Sequence, residues 1–204
     1  MLIGKWNKSV ILTYVGMCVS IFGMYVCFKG ESMLKAGMSC LIIAGICDLF
    51  DGVVARTCKR TESEKEFGVQ LDSLVDVIDF IAFPICLFMN MKLTAWYQLL
   101  VIAVFAVCGI ARLAYFNISL ENNSEPVSYY SGLPVTYTAM ILPLGYLLSY
   151  ICTPELFKLI FTALIFMIAL LQILNVNIKK PKGIAYLIFP VLAVAMLCLY
   201  LVIL

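Results

Sequence analysis

The chain has 204 residues, of which 64% are hydrophobic and only 13% charged, with a formal net charge of +2. A soluble domain carries about a quarter charged residues, so this composition excludes an ordinary water-soluble globule and points to lipid as the solvent. Histidine is absent and the nine cysteines form no C-x-x-C pair, which removes the usual zinc ligand sets and every histidine-dependent nucleophile; no basic, aromatic-interleaved patch offers itself to nucleic acid.

A membrane span needs about 20 apolar residues. The first run, Val10–Phe28, is too long for a signal-peptide core and lacks a small-residue cleavage site after it, so it reads as a retained span. Ala36–Ala55 reaches span length only by carrying Asp48 and Asp51 inward, and Val69–Met91 only by carrying Asp72, Asp76 and Asp79. Charge-free runs follow at Leu93–Ala111, Pro126–Pro154, Leu159–Ile178 and Ile184–Leu204. The expectation is a single all-α integral membrane domain over residues 1–204, with six core spans and an additional C-terminal one.

Lysine and arginine set the expected orientation. With seven spans, one side receives Lys5, Lys8, Arg56, Lys59, Arg60, Lys65, Lys179, Lys180 and Lys182. The other receives Lys29, Lys35, Lys92 and Lys158, while Arg112 lies at the end of a span. This bias puts the N-terminus and the Arg56–Glu66 loop in the cytoplasm, and with them the opening of any site flanked by the aspartates. The segment from Asn117 to Ser131 falls on the same side; its charged residues are Glu121 and Glu125, and it reads as a loop forming a substrate lip.

All five aspartates fall within residues 48–79. A carboxylate at membrane depth costs several kcal/mol unless it is paired, so the cluster is a functional site by default. Asp48 and Asp51 are spaced i, i+3 and Asp72 and Asp76 i, i+4, so each pair shares one helix face. Two antiparallel helices joined at the Arg56–Glu66 loop bring the pairs to similar depth. Four facing carboxylates cannot all stay ionised unaided, and one or two divalent cations resolve the conflict. All-oxygen ligation suits Mg²⁺ or Mn²⁺, with Ca²⁺ as a further occupant, and a carboxylate-held metal pair suits a diphosphate substrate. The alternative, aspartates paired with Arg56, Lys59 and Arg60, provides too few cations lying too near the surface.

The residues Asp48-Leu-Phe-Asp51-Gly52-Val-Val-Ala55-Arg56, then eleven residues, then Gly68-Val-Gln-Leu-Asp72-Ser-Leu-Val-Asp76, fill every position of D-x2-D-G-x2-A-R-x(8–12)-G-x3-D-x3-D. This catalytic motif, residues 48–76, resembles that of the CDP-alcohol phosphotransferases. The resemblance implies that Asp48, Asp51, Asp72 and Asp76 bind metal and that Asp76 also acts as general base on the acceptor hydroxyl. It further implies that Gly52, Ala55, Arg56 and Gly68 surround the CDP-lipid.

Arg112-Leu-Ala-Tyr115-Phe116-Asn117 and Ser131-Gly132-Leu133-Pro134 resemble the R-L-A-R-F-N and G-L-P segments of bacterial and archaeal phosphatidylserine synthases. Tyr115 departs from the second arginine of that pattern, and Asp79 stands where a small residue is usual. Arg112, Asn117 and Asp79 are the candidate acceptor-binding residues: Arg112 suits the carboxylate of serine, and Asp79 suits its ammonium or pairs with Arg112. The resemblance implies transfer of a phosphatidyl group from CDP-diacylglycerol, or an ether-lipid equivalent, to L-serine with release of CMP, in a membrane-embedded homodimer. The same reaction with glycerol 3-phosphate, inositol phosphate or choline is the neighbouring alternative. A cation transporter using intramembrane aspartates is the remote one.

Overall fold

The structure is a computed structural model that describes residues 4–122, 129–179 and 185–202. Helix α1 spans Ile11–Cys27 and α2 spans Leu34–Thr57. A third column runs from Glu62 to Asn90 as α3 (Glu62–Val77), a π-helical turn (Ile78–Ala82) and α4 (Phe83–Asn90). Helix α5 is Trp96–Asn122, α6 is Thr138–Tyr146 with single 3-10 turns at either end, α7 is Pro154–Ile173 and α8 is Ala185–Val202. These make seven helical columns among the described residues, as the hydropathy pattern leads one to expect. Four stretches are long and apolar enough to cross a membrane on their own: Lys8–Cys27, Glu31–Thr57, Trp96–Ser119 and Pro154–Ile173.

Several boundaries differ from the sequence expectation, for identifiable reasons. Column three starts at Glu62 because Thr61 and Glu64 form a capping box: the Thr61 N–H donates to Glu64 Oε2 at 2.7 Å. Helix α5 continues to Asn122, so Arg112, Tyr115 and Asn117 stand on a helix; the proposed lip after Asn117 shrinks, and Glu125 lies outside the described residues. The apolar run from Pro126 is not one helix. Tyr129–Ser131 (β1) pairs antiparallel with Asn177–Lys179 (β2), and helix resumes only after Pro134. The same pairing ends α7 at Ile173, short of the expected Ile178. Pro154 at its first turn, where a missing N–H costs nothing, starts α7 earlier than Leu159.

Gly132 makes this ribbon possible. Its φ of +75° is open to glycine, and a Cβ would lie 2.5 Å from the Gln172 carbonyl oxygen. The chain therefore turns tightly against the end of α7, where Leu133 N–H donates to Leu171 O at 2.8 Å. The ribbon places the ends of α5 and α7 at one end of the bundle. At the opposite end Lys92 pairs with Glu31 across 3.6 Å.

The core sits where columns two to seven meet, around Met38, Leu41, Phe80, Phe83, Leu87, Phe88, Phe105 and Phe161, all fully buried. Phe88 meets Phe105 and Phe161 edge-on at centroid distances of 5.6 and 6.1 Å, the geometry that ring quadrupoles favour. Two prolines create anchor points. Pro84 offers no N–H to the Phe80 carbonyl one turn back, and that carbonyl accepts from the Thr138 hydroxyl at 3.4 Å. Pro143 lies inside α6, and its carbonyl accepts from Tyr200 of α8 at 2.7 Å, pinning the C-terminal helix to the core.

Candidate active site

Helix α1 packs against both α2 and α3, and the facing surfaces of α2 and α3 carry the aspartates. One carboxylate oxygen from each of Asp48, Asp72 and Asp76 lies within 4.8 Å of the others. Asp48 stands at hydrogen-bonding range of Asp76, and Asp51 of Asp72. Asp51, 8% exposed, is oriented by Thr13 of α1, whose hydroxyl donates to Asp51 Oδ2 at 2.8 Å. Contact between two carboxyl groups requires a shared proton or a bridging cation. The donor set is all oxygen, converges from two helices and is partly open, which fits a hard divalent cation.

The cluster forms the floor of a cavity of about 340 Å³. Its polar wall carries Arg56, Ser73, Arg112 and Thr136, and its apolar wall Ile42, Ile46, Met140, Phe189, Ala193 and Met196. Gly52 lines the cavity, and a Cβ added there would meet nothing within 4 Å, so that stretch of α2 is open to a ligand. Arg112 is 7% exposed and its guanidinium lies 5.3 Å from the Phe116 ring, a cation–π contact one turn along α5.

The remaining sequence-derived candidates fall elsewhere. Ala55 and Gly68 are absent from the lining; the nearest heavy atom to a Cβ on Gly68 would be Arg60 Nη1 at 3.9 Å. Asn117 is held one step behind the wall, accepting from Ser73 Oγ at 2.9 Å. Asp79 is 2% exposed and lines, together with Asp48, Asp51, Asp72 and Asp76, a small void against Gly16 and Cys47; it does not line the cavity that Arg112 lines. Asp79 lies in the π-helical turn that follows α3 and stands against Gly16 of α1.

Sequence reasoning did not assign the contributions of Thr136, Tyr137, Met140 and the α8 residues Phe189, Ala193 and Met196. Only the G-L-P segment hinted at this wall, through Pro134, which lines the cavity. An apolar residue facing a cavity has the same sequence pattern as one facing lipid.

An all-α membrane bundle with a carboxylate cluster beneath an amphipathic cavity has the character of a lipid-handling enzyme. The chain belongs to the CDP-alcohol phosphatidyltransferase family, whose family model matches residues 6–202. Among curated proteins it is similar to a CDP-diacylglycerol–serine O-phosphatidyltransferase of Helicobacter pylori, 32% identical over 178 residues, covering 80% of this chain and 70% of that protein. A protein of the same name from Saccharomyces cerevisiae is 31% identical over 112 residues, covering 52% of this chain and 40% of the yeast protein. An archaetidylserine synthase of Methanothermobacter thermautotrophicus is 31% identical over 121 residues, covering 59% of this chain and 50% of that protein. No solved structure matches the chain.

Proposed function

We propose that this chain transfers the phosphatidyl group of CDP-diacylglycerol, or of an ether-lipid counterpart, to L-serine, forming phosphatidylserine and CMP. The observation that carries the reading is the convergence of Asp48, Asp72 and Asp76 within 4.8 Å beneath a cavity with one cationic and one apolar wall. A CDP-lipid needs both walls: the diphosphate seeks Arg56 and the carboxylate-bound cations, and the acyl chains seek the α2, α6 and α8 surface. The names of the relatives supply the serine acceptor.

Asp48, Asp51, Asp72 and Asp76 would hold Mg²⁺ or Mn²⁺, which when bound neutralises the diphosphate oxygens and the departing CMP phosphate. Arg56 pairs with a phosphate oxygen, bidentately where geometry allows. Arg112 receives the serine carboxylate and so points the hydroxyl toward the floor. Asp76 accepts the hydroxyl proton as the serine oxygen bonds to the lipid-linked phosphorus and the bond to CMP breaks. Thr13 keeps Asp51 from rotating away from the cluster. The cavity faces the cytoplasm in this reading, so that CMP departs into water, and the enzyme works as a homodimer.

The test is CMP release by purified protein given CDP-diacylglycerol, Mg²⁺ or Mn²⁺, and a panel of serine, glycerol 3-phosphate, inositol phosphate and choline. Serine alone is expected to support turnover, and chelation of divalent metal to stop it. Turnover with another alcohol and none with serine would replace the acceptor. No CMP with any of them would remove the reaction.

A further inference from the structure

With serine as the acceptor, the reading on which the following role rests, three groups need partners: a hydroxyl, a carboxylate and an ammonium. Asp76 and Arg112, both on the cavity lining, serve the first two. Asp79, the sequence candidate for the ammonium, does not line that cavity.

Ser73 stands where the third partner is needed. It lines the cavity three residues before Asp76, so the two share one face of α3, and it shares the lining with Arg112 and Phe116 of α5. A serine inside a helix commonly donates to the carbonyl one turn back on its own helix. Ser39 does so to Lys35 O at 3.1 Å, and Ser119 to Tyr115 O at 2.8 Å. Ser73 donates across to α5, to Asn117 Oδ1 at 2.9 Å. A hydroxyl has one proton and two lone pairs. With its proton committed to Asn117, Ser73 Oγ offers the cavity lone pairs only. It can receive an N–H but cannot donate to a phosphate, an ester carbonyl or a carboxylate. Asn117 is outside the lining, so it acts on a ligand only through Ser73.

An acceptor-only group near a carboxylate-binding arginine complements an α-amino acid, whose ammonium and carboxylate leave the same carbon. The phosphates and acyl esters of a CDP-lipid carry no such donor. We propose that Ser73 Oγ accepts a hydrogen bond from the ammonium of the amino-acid acceptor, and that Asn117 is the positioning residue that keeps Ser73 an acceptor. Serine is then read at three points around one carbon: hydroxyl at Asp76, carboxylate at Arg112 and ammonium at Ser73. Three such contacts also select the L over the D form.

The test uses the full-length protein in nanodiscs with CDP-diacylglycerol and saturating Mg²⁺ or Mn²⁺, and reads CMP release. L-Serine, D-serine, β-hydroxypropionate (no ammonium) and ethanolamine (no carboxylate) are assayed as substrates and as competitors of L-serine. The wild type should bind β-hydroxypropionate about 10–100-fold more weakly than L-serine, the usual effect of one charged hydrogen bond. Ser73→Ala should raise the KM for L-serine by about the same factor and weaken ethanolamine in parallel. It should leave β-hydroxypropionate and the KM for CDP-lipid unchanged, and narrow the preference for L- over D-serine. Asn117→Leu, which removes the oxygen behind Ser73, should copy that pattern, and Asn117→Asp, which keeps one, should retain the wild-type ratio. An Asn117→Leu variant that melts earlier with an unchanged ratio would overturn the positioning role. Equal affinity of the wild type for L-serine and β-hydroxypropionate would overturn the whole proposal without any variant. So would a Ser73→Ala loss that falls on CDP-lipid, or equally on serine and β-hydroxypropionate. Those outcomes leave serine turnover intact, whereas a wild type that releases no CMP with serine would remove the reaction proposed above and this role with it.

Discussion

The two halves of this bundle contribute to the site in different ways. Helices α1 to α4 bring chemistry: every aspartate, Arg56 and the orienting Thr13 lie there, and the metal-ligand candidates come from two columns only. Helices α5 to α8 bring shape: Arg112 apart, their cavity residues are mostly apolar or aromatic, drawn from three separate columns and the Pro134 turn. Reactive groups must hold fixed distances from one another, which short-range helical spacing enforces. A lipid-binding wall needs only surface of the right size and polarity, which many sequences can supply. Substitutions in the first half should therefore act on turnover, and those in the second on substrate affinity or on assembly of the wall.

The largest effect expected is at the floor. Asp76→Asn should lower CMP release by at least ~10³-fold, because base and metal ligand are lost together, while the melting profile shows a folded protein. Near-normal turnover in that variant would end the division of labour between the halves. Arg112→Ala should raise the KM for serine by about 10–100-fold, the worth of a charged hydrogen bond, and leave the KM for CDP-lipid largely unchanged. An equal rise in both would move Arg112 from the acceptor to the shared phosphate.

A milder test concerns the wall itself. Tyr200→Phe removes the hydroxyl that binds the Pro143 carbonyl and should cost about 1 kcal/mol, or about 2–4 °C in melting temperature. If α8 is a necessary wall, CDP-lipid affinity should fall in parallel. The smallest effect lies at the start of α3. The Thr61 backbone N–H, the Asn7 side chain and the Thr61 hydroxyl hold Glu64 below the usual glutamate range. A depressed carboxyl pKa contributes stability above the unfolded value and loses it as pH falls through the folded one. Thr61→Ala should therefore lower the melting temperature slightly at neutral pH, with the difference from wild type narrowing in acid.

Much of the first half is legible in the order of its residues. Asp48, Asp51, Asp72 and Asp76 announce themselves because charge is rare in an apolar span, and their i, i+3 and i, i+4 spacings imply shared faces. Gly52 and Arg56, expected to face the CDP-lipid, do line the cavity, while Ala55 and Gly68 do not. The second half is legible only as hydropathy. The Pro126–Pro154 run concealed a strand and a turn, because a short aromatic stretch such as Tyr129-Tyr130 suits either structure.

The amino-acid sequence by itself determined the helical membrane class and the acidic motif. These depend on composition and on spacing within one helix or between neighbours. The tertiary structure alone decided that α8 lines the cavity, that Asn117 stands behind Ser73, and that Asp79 lies against α1 outside the cavity that Arg112 lines. Those placements arise from packing between distant segments, which leaves no local mark in the sequence.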